Sequence, residues 1–216
     1  GRVGYFNNSF EDLLEFLSRT QLVAAGVPPA VAAGTEFGAY INSSSYDAQG
    51  VELSADAALG AGLRVSASYT YLSAEVTEAF GRGAVFNPSF PGVPIGAYSA
   101  LVGARPFRRP ANSGTLFIAY ATGPFDVALS GYFAGKRDDS TFLSDGFFGN
   151  SLLLPNKNLD PAYQKIDFSA SYRLHPQARV YTSIENLLNQ EYAAAFGFPS
   201  LPATIRVGVS VGLGGD

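Results

Sequence analysis

The side chains best suited to chemistry in this sequence are charged and aromatic groups gathered in two long connecting stretches. Arg105, Arg108 and Arg109 crowd one of them. Such a cluster can hold an anionic ligand or the anionic groups of lipopolysaccharide, although ordinary rim charge at a strand mouth is the plainer reading. Asp138, Asp139, Asp145 and Asp160 share the second stretch. Loop carboxylates can bind calcium, but these lack the spacing of a known calcium loop, so solvated carboxylates are expected. Phe80, Phe86, Phe90, Tyr98, Phe142, Phe147, Phe148, Phe196 and Phe198 punctuate the connections. Exposed aromatics supply large contact area at low entropic cost; loop-on-loop packing or an interfacial girdle is the alternative. The candidate ligand-binding set is therefore Phe86, Phe90, Tyr98, Arg105, Phe142, Phe147, Phe148 and Phe198.

Catalysis is not expected. There is no Cys, which excludes disulfides and thiolate metal sites. The one His, His175, sits in a turn, so a nucleophile–base pair of lipase or protease type has no base. Glu52 and Asp56 share a strand face and read as interior polarity, not as a glycosidase pair. Gly212-Leu213-Gly214-Gly215 does not lie between a strand and a helix, so it is no phosphate loop. No catalytic, cofactor-binding or metal-binding residue is assigned.

The elements that must position these groups are strands. Charged residues make up 15% of the chain, below the roughly 25% of a soluble domain. The net charge of -4 argues against a nucleic-acid partner. No apolar run reaches the ~18 residues of a membrane helix, but barrel strands expose only alternate residues to lipid. Arg2 to Phe16 reads as one strand with a turn or bulge at Asn7-Asn8-Ser9, a short helix over Glu11 to Leu17 being the alternative, and Thr20 to Tyr40 reads as a loop. Val51 to Leu59 and Leu63 to Tyr71 form a hairpin around Gly60-Ala61-Gly62. Ser113 to Ala121 and Phe125 to Gly135 form a second, around Thr122-Gly123-Pro124. Ile166 to Leu174 and Val180 to Ile184 form a third, around His175-Pro176-Gln177, and Thr204 to Leu213 is a last strand.

Each strand alternates between an apolar and a polar face. The polar faces carry Glu52, Asp56, Arg64, Asp126, Lys165, Asp167, Arg173, Arg179 and Arg206, which are costly against lipid and belong in a wet lumen where both signs can pair. The connections alternate short and long, with Glu75 to Arg109 and Arg137 to Ala162 the longest. The fold class is all-β: an antiparallel up-and-down transmembrane β-barrel segment of about eight strands, with short periplasmic turns and long outer loops. The location that follows is the bacterial outer membrane.

Three stretches carry a family likeness. Asp47-Ala48-Gln49-Gly50-Val51-Glu52-Leu53 is similar to a "xxxGVEL" strand start. Phe107-Arg108-Arg109-Pro110-Ala111-Asn112-Ser113 is similar to an "RRPxxS" lead into a strand. Glu185-Asn186-Leu187-Leu188-Asn189-Gln190-Glu191-Tyr192 is similar to "ENLLNxxY". In this order they resemble the C-terminal part of the TonB-dependent receptors, 22-stranded outer-membrane transporters. Residues 1–216 would then be the C-terminal portion of the barrel domain, without a plug domain. Gly135-Lys136-Arg137-Asp138-Asp139 also resembles the cobalamin-receptor branch.

The resemblance implies uptake of a scarce ligand, such as an iron-siderophore or cobalamin, by the full receptor. Its implied partners are outer-membrane lipid and lipopolysaccharide, the small-molecule ligand, and the TonB complex acting through the plug. The sequence starts Gly-Arg-Val without an initiator Met, so the expectation is that either processing removed a leader or the chain is the tail of something longer. The rival expectation is a stand-alone eight-stranded barrel acting as an adhesin or structural anchor. Asn186 to Asn189 is expected at the outer mouth, where alternation breaks and a bulge would fit. The last strand then lacks a partner within the chain.

Overall fold

The computed structural model describes residues 1–80, 84–87, 90–97, 99–140 and 155–212. The strands follow from the period-2 patterns. They are β1 (Arg2–Ser18), β2 (Gly38–Ala58), β3 (Leu63–Glu78), β4 (Ala84–Asn87), β5 (Phe90–Ala97), β6 (Asn112–Thr122), β7 (Phe125–Ala134), β8 (Tyr163–His175), β9 (Ala178–Glu185), β10 (Ala193–Ala195), β11 (Phe198–Pro199) and β12 (Thr204–Val211). Two short helices, α1 (Arg19–Ala24) and α2 (Pro29–Ala33), lie between β1 and β2.

Eight strands form one antiparallel sheet in the order β1-β2-β3-β6-β7-β8-β9-β12. It is a meander: its strands lie side by side in chain order, with the β4–β5 and β10–β11 hairpins set apart in two of the long connections. The sheet does not close: β1 and β12 are its two edges among the described residues.

Register sorts the faces. One cross-sheet row runs Ala57, Val65, Ile118, Leu129, Phe168, Ile184, Ile205. The adjacent row runs Ala58, Arg64, Ala119, Ala128, Ser169, Ser183, Arg206. A shift of one residue would exchange the rows, so the alternation in each strand fixes its pairing. The polar face pairs its charges as expected: Arg206 with Glu185, Lys165 with Asp167 at 3.0 Å, and Arg179 with Asp126 at 3.8 Å.

Glycine is demanded where backbones meet. A Cβ on Gly62, at φ +85°, would stand 1.8 Å from the Ala121 carbonyl of the neighbouring turn. A Cβ on Gly50 would meet the Tyr71 carbonyl at 2.1 Å and the Phe6 ring at 2.6 Å, which explains the glycine of Gly-Val-Glu-Leu.

Several boundaries depart from the sequence reading. The irregularity in β1 lies at Glu11-Asp12, not at Asn7-Asn8-Ser9: the register slips between Phe10 and Leu13, and Asp12 takes φ +56°. The stretch from Thr20 to Tyr40 is not a loop. Gln21 caps α1 by accepting the Ser18 N–H at 2.8 Å, Pro29 opens α2, and β2 begins at Gly38. Leu22 and Ala32 bury themselves with Leu17 beneath these helices, forming a small apolar core that sequence alternation does not announce. The long connection from Glu75 contains the end of β3 and the β4–β5 hairpin. The β9–β12 connection contains the β10–β11 hairpin.

Candidate functional site

The long connections meet at the rim opposite the short turns, and charged side chains tie them together. Arg137 and Asp160 face each other across an isolated antiparallel bridge, with backbone hydrogen bonds of 3.0 and 3.1 Å in the two directions. Both side chains are buried, with Arg137 Nη2 3.8 Å from Asp160 Oδ2. Arg137 also donates to the Gly135 carbonyl at 3.1 Å and to the Ala193 carbonyl of β10 at 2.7 Å. Its guanidinium lies 5.0 Å from the centre of the Tyr163 ring, which stacks on Tyr192 at 4.2 Å.

Asp139, fully buried, is the other hub. Arg108 Nε donates to both of its oxygens, at 3.0 and 3.1 Å. The backbone N–H of Ser140 and that of Phe196 donate to it at 2.7 and 2.8 Å. Burial alone would raise the Asp139 pKa, but these donors, with the Asp160 carboxyl, hold it below the usual range. Asp160 shifts the other way. Burial raises it to about 6, the facing Asp139 adds to the rise, and Arg137 and Arg108 oppose it. Asp138 accepts from Arg105 at 3.0 Å and from the Asn158 N–H at 2.8 Å.

A second anchor lies nearby. Glu15, buried in β1, accepts from Ser43, Ser99 and the Phe80 N–H at 2.9 to 3.0 Å. It thus ties the first hairpin to the β3–β6 connection.

The Asn186 stretch forms a third knot. Asn186 and Asn189 both adopt positive φ, at 52° and 47°, a conformation Asn tolerates. The buried Asn186 side chain donates to the Gln190 and Leu201 carbonyls at 3.0 Å and accepts the Gln190 N–H at 3.1 Å. Asn189 accepts the Ala203 N–H at 2.8 Å. The expected bulge is instead a tight turn whose two asparagines hold the chain end before β12.

Between these anchors opens a cavity of about 640 Å³. Its walls include Tyr40 and Tyr46 on one side, Phe107, Arg108 and Arg109 on another, and Phe196 and Phe198 of the β10–β11 hairpin on a third. Among the described residues Arg109 makes no ion pair and points a free cation toward this mouth.

The candidate residues separate accordingly. Phe198 lines the cavity and is 65% exposed. Arg105 is committed to Asp138 and to the Asn158 side chain at 2.9 Å, and lines a smaller cavity of about 370 Å³. Phe86 and Phe90 lie on the paired strands β4 and β5. Tyr98, Phe142, Phe147 and Phe148 lie outside the described residues, as does Asp145. The loop carboxylates Asp138, Asp139 and Asp160 are not solvated as expected: Arg105 and Arg108 of the β3–β6 connection meet the first two, and Arg137, in the same connection as Asp160, faces the third. No group of three or more His, Cys, Asp or Glu side chains among the described residues could hold a metal ion.

Arg137, Asp139, Asp160 and Glu15 went unrecognised in the sequence as structural hubs. One signal was available: Arg108, Asp139 and Asp160 flank the ends of β6, β7 and β8, which are sheet neighbours.

Comparison with known proteins places this architecture. A search of curated proteins finds no match. The family described as TonB dependent receptor-like, beta-barrel, matches residues 1–187. Among solved structures, the ferric-catecholate import receptor Fiu of E. coli K12 in its closed form superposes with a TM-score of 0.60 at 17% identity, over 97% of this chain and 24% of that one. The siderophore receptor PiuA of Acinetobacter baumannii gives 0.57 at 20% identity, over 80% and 22%. The FrpB iron transporter of Neisseria meningitidis gives 0.58 at 16%, over 97% and 28%. The chain thus spans about a quarter of the length of the receptors it resembles. With a split-faced meander, loops gathered at one rim and a family match over most of its length, this chain belongs to the TonB-dependent receptors, as part of their β-barrel.

Proposed function

We propose that this chain is an outer-wall segment of a bacterial outer-membrane receptor that takes up an iron-siderophore complex. The carrying observation is the segregation of faces: seven sheet neighbours align apolar side chains in one row and small or charged ones in the next. Lipid would meet the first face and a water-filled lumen the second. On the apolar face Tyr120, Phe125 and Tyr172 stand near the short turns, while Tyr5, Tyr69, Tyr71 and Phe133 stand toward the other rim. Phe125 and Phe133 are eight residues apart, about 27 Å along the strand and about 20 Å in height at a tilt of ~40°, which suits a membrane band with an aromatic girdle on each side. β2, with 21 residues, runs to about 70 Å, so its upper part stands outside the bilayer.

The ligand class is supported by the relatives named for ferric-catecholate, siderophore and iron transport, and by the aromatic and cationic cavity at the outer mouth. The Gly135–Asp139 stretch lends no weight to cobalamin, because Arg137, Asp138 and Asp139 hold the rim together. The whole receptor would engage lipid and lipopolysaccharide on its outside and the TonB complex through a plug. The open edges of the sheet speak against a stand-alone closed barrel.

The test is uptake of radioactive iron by cells with and without the whole receptor. Ferric catecholate and ferric hydroxamate complexes serve as probes. Loss of uptake of one of them on deleting the receptor, and equally on removing TonB, is expected. Unchanged uptake of both classes would overturn the ligand assignment. A reading frame upstream that encodes a signal peptide directly before Gly1, and no plug, would overturn the receptor assignment itself.

A further inference from the structure

The rim network contains a choice that the fold leaves open. Arg137 Nη2 donates to the Ala193 carbonyl at 2.7 Å and also faces Asp160 Oδ2 at 3.8 Å. That Oδ2 is buried without a hydrogen-bond partner, as is Arg137 Nε. One guanidinium thus stands between a hairpin it holds and a carboxylate it does not quite reach. The hairpin it holds, β10–β11, carries Phe196 and Phe198 into the wall of the large cavity. The same hairpin is held at a second point, by Asp139 through the Phe196 N–H.

We propose that Asp160 is a proton-controlled switch that trades Arg137 between itself and the β10–β11 hairpin, and so sets how firmly the hairpin closes over the outer cavity. With Asp160 protonated, it shares its proton with Asp139, and Arg137 is left to the Ala193 carbonyl. With Asp160 ionised, two carboxylates face each other in a buried site, and Arg137 is drawn toward the second negative charge and away from the hairpin.

The sign follows from the surroundings. Facing the pair are Arg137 and Arg108, which favour the ionised form, and Asp139, which opposes it. The Arg105–Asp138 pair stands beside them, and Tyr163 and Tyr192 stack beyond Arg137. The hairpin residues Ala193 to Pro199 bring no titratable side chain. Asp160 is raised from 3.8 to about 6, so its contribution to holding the rim is complete below about pH 3.8 and is lost as pH rises through about 6. The hairpin is therefore held tighter in mild acid than at neutral pH. This inference concerns the loop, and holds whichever ligand the receptor takes.

The absence of Cys makes the switch measurable. In the whole receptor, purified in detergent, any Cys elsewhere is replaced by Ser. Spin labels are then placed at Thr77→Cys on the end of β3, one residue from the cavity-lining Val76, and at Phe198→Cys on the hairpin. Pulsed electron paramagnetic resonance reads the distance between them at about pH 5 and about pH 7.5, either side of the switch. The wild-type network is expected to give one narrow distance at the lower pH and a broad, longer distribution at the higher, with a midpoint near 6. Asp160→Asn, which keeps the shape but cannot ionise, is expected to remain narrow at both. A wild-type distribution that ignores pH would overturn the proposal, and needs no variant to fold. So would an Asp160→Asn receptor that broadens with the wild-type midpoint, since another group would then be titrating.

Discussion

The sheet wall and the outer rim of this molecule both pair Arg or Lys with Asp or Glu, but they do so under opposite conditions. On the wall, Arg206 and Glu185 are 59% and 39% exposed, and Arg179 and Asp126 are about half exposed. At the rim, Arg137 and Asp160 are 3% and 1% exposed, and Asp139 is completely covered. Water screens the wall pairs, so each contributes at most about 1 kcal/mol. Arg137 and Asp160 have both lost that water, and Asp139 has lost it although its partner Arg108 keeps it, so removing a partner strands a buried charge. The same residue types therefore tile a surface in one place and join loops in the other. The strands of the wall would keep their register without their ion pairs. Among the described residues, the connections at the rim lack a continuous ladder and depend on separate side-chain anchors.

The largest expected effect tests the rim. Asp139→Ala leaves Arg108 and the Phe196 N–H without their acceptor, at a cost of about 3–5 kcal/mol to the local structure. Hydrogen exchange of the whole receptor should show the amides of Arg137, Asp160 and Phe196 losing protection while those of β6 to β9 keep theirs. Loss of protection throughout the sheet would mean that rim and wall are one cooperative unit, and the contrast would fail.

The next effect tests the wall. Leu129 and Ala128 are neighbours on β7, one in the apolar row and one in the polar row. With the apolar face against lipid, Leu129→Arg should cost about 2–4 kcal/mol near mid-bilayer. Ala128→Arg, directed into the lumen, should cost far less. Urea titration of the receptor in lipid vesicles compares the two. Equal costs would remove the lipid assignment of that face.

These two tests also mark where the sequence was legible. The face of Leu129 could be read directly, because a strand repeats its instruction every second residue and Val65, Ile118 and Phe168 say the same thing on neighbouring strands. The eight-stranded meander, its turns and the side of each wall charge follow from that redundancy. The rim has no such repetition. Arg108 meets Asp139, and Arg137 meets Ala193, across gaps of 31 and 56 residues that no period encodes. The helices α1 and α2 were missed for the same reason: each is under two turns long, and the burial of Leu22 and Ala32 against Leu17 is a tertiary fact. Arg105, expected near a strand mouth, is held by Asp138, a partner 33 residues away that no period announces. Of the loop aromatics named from the sequence, Phe196 and Phe198 line the cavity, both at the short β10–β11 hairpin.

Asn186 lies between wall and rim, and its loss should be intermediate. Asn186→Ala removes the buried Asn186 amide that donates to the Gln190 and Leu201 carbonyls and puts a less tolerant residue at positive φ. About 2 kcal/mol is expected from these losses together. Asn186→Gly, which restores the backbone freedom but not the hydrogen bonds, should recover a part of it. Limited proteolysis between residues 186 and 203 of the whole receptor reads both. Full recovery by Gly would show that conformation, not the side-chain bonds, holds this knot.

The smallest expected effect is the sharpest test of what exposure does to a charge pair. Glu185 sits one residue before Asn186 and pairs with Arg206 on the polar face of β9 and β12. Their geometry is close, so contact alone would rank this pair with those at the rim. Exposure ranks it far lower. Glu185→Gln keeps the side-chain length and one acceptor, removes the charge, and should change stability by less than about 1 kcal/mol, with the difference vanishing at high salt. The neighbouring register supplies the reason: Thr204 lies opposite Glu185 and Ile184 lies opposite Ile205, so backbone pairing and the apolar row already fix the two strands. If urea titration instead gave a loss comparable to that of Asp139→Ala and indifferent to salt, Glu185 would have to be shielded from water in the intact barrel. The edge beside β12 would then be covered by whatever strand or plug the rest of the receptor brings against it, and that pair would belong with the rim.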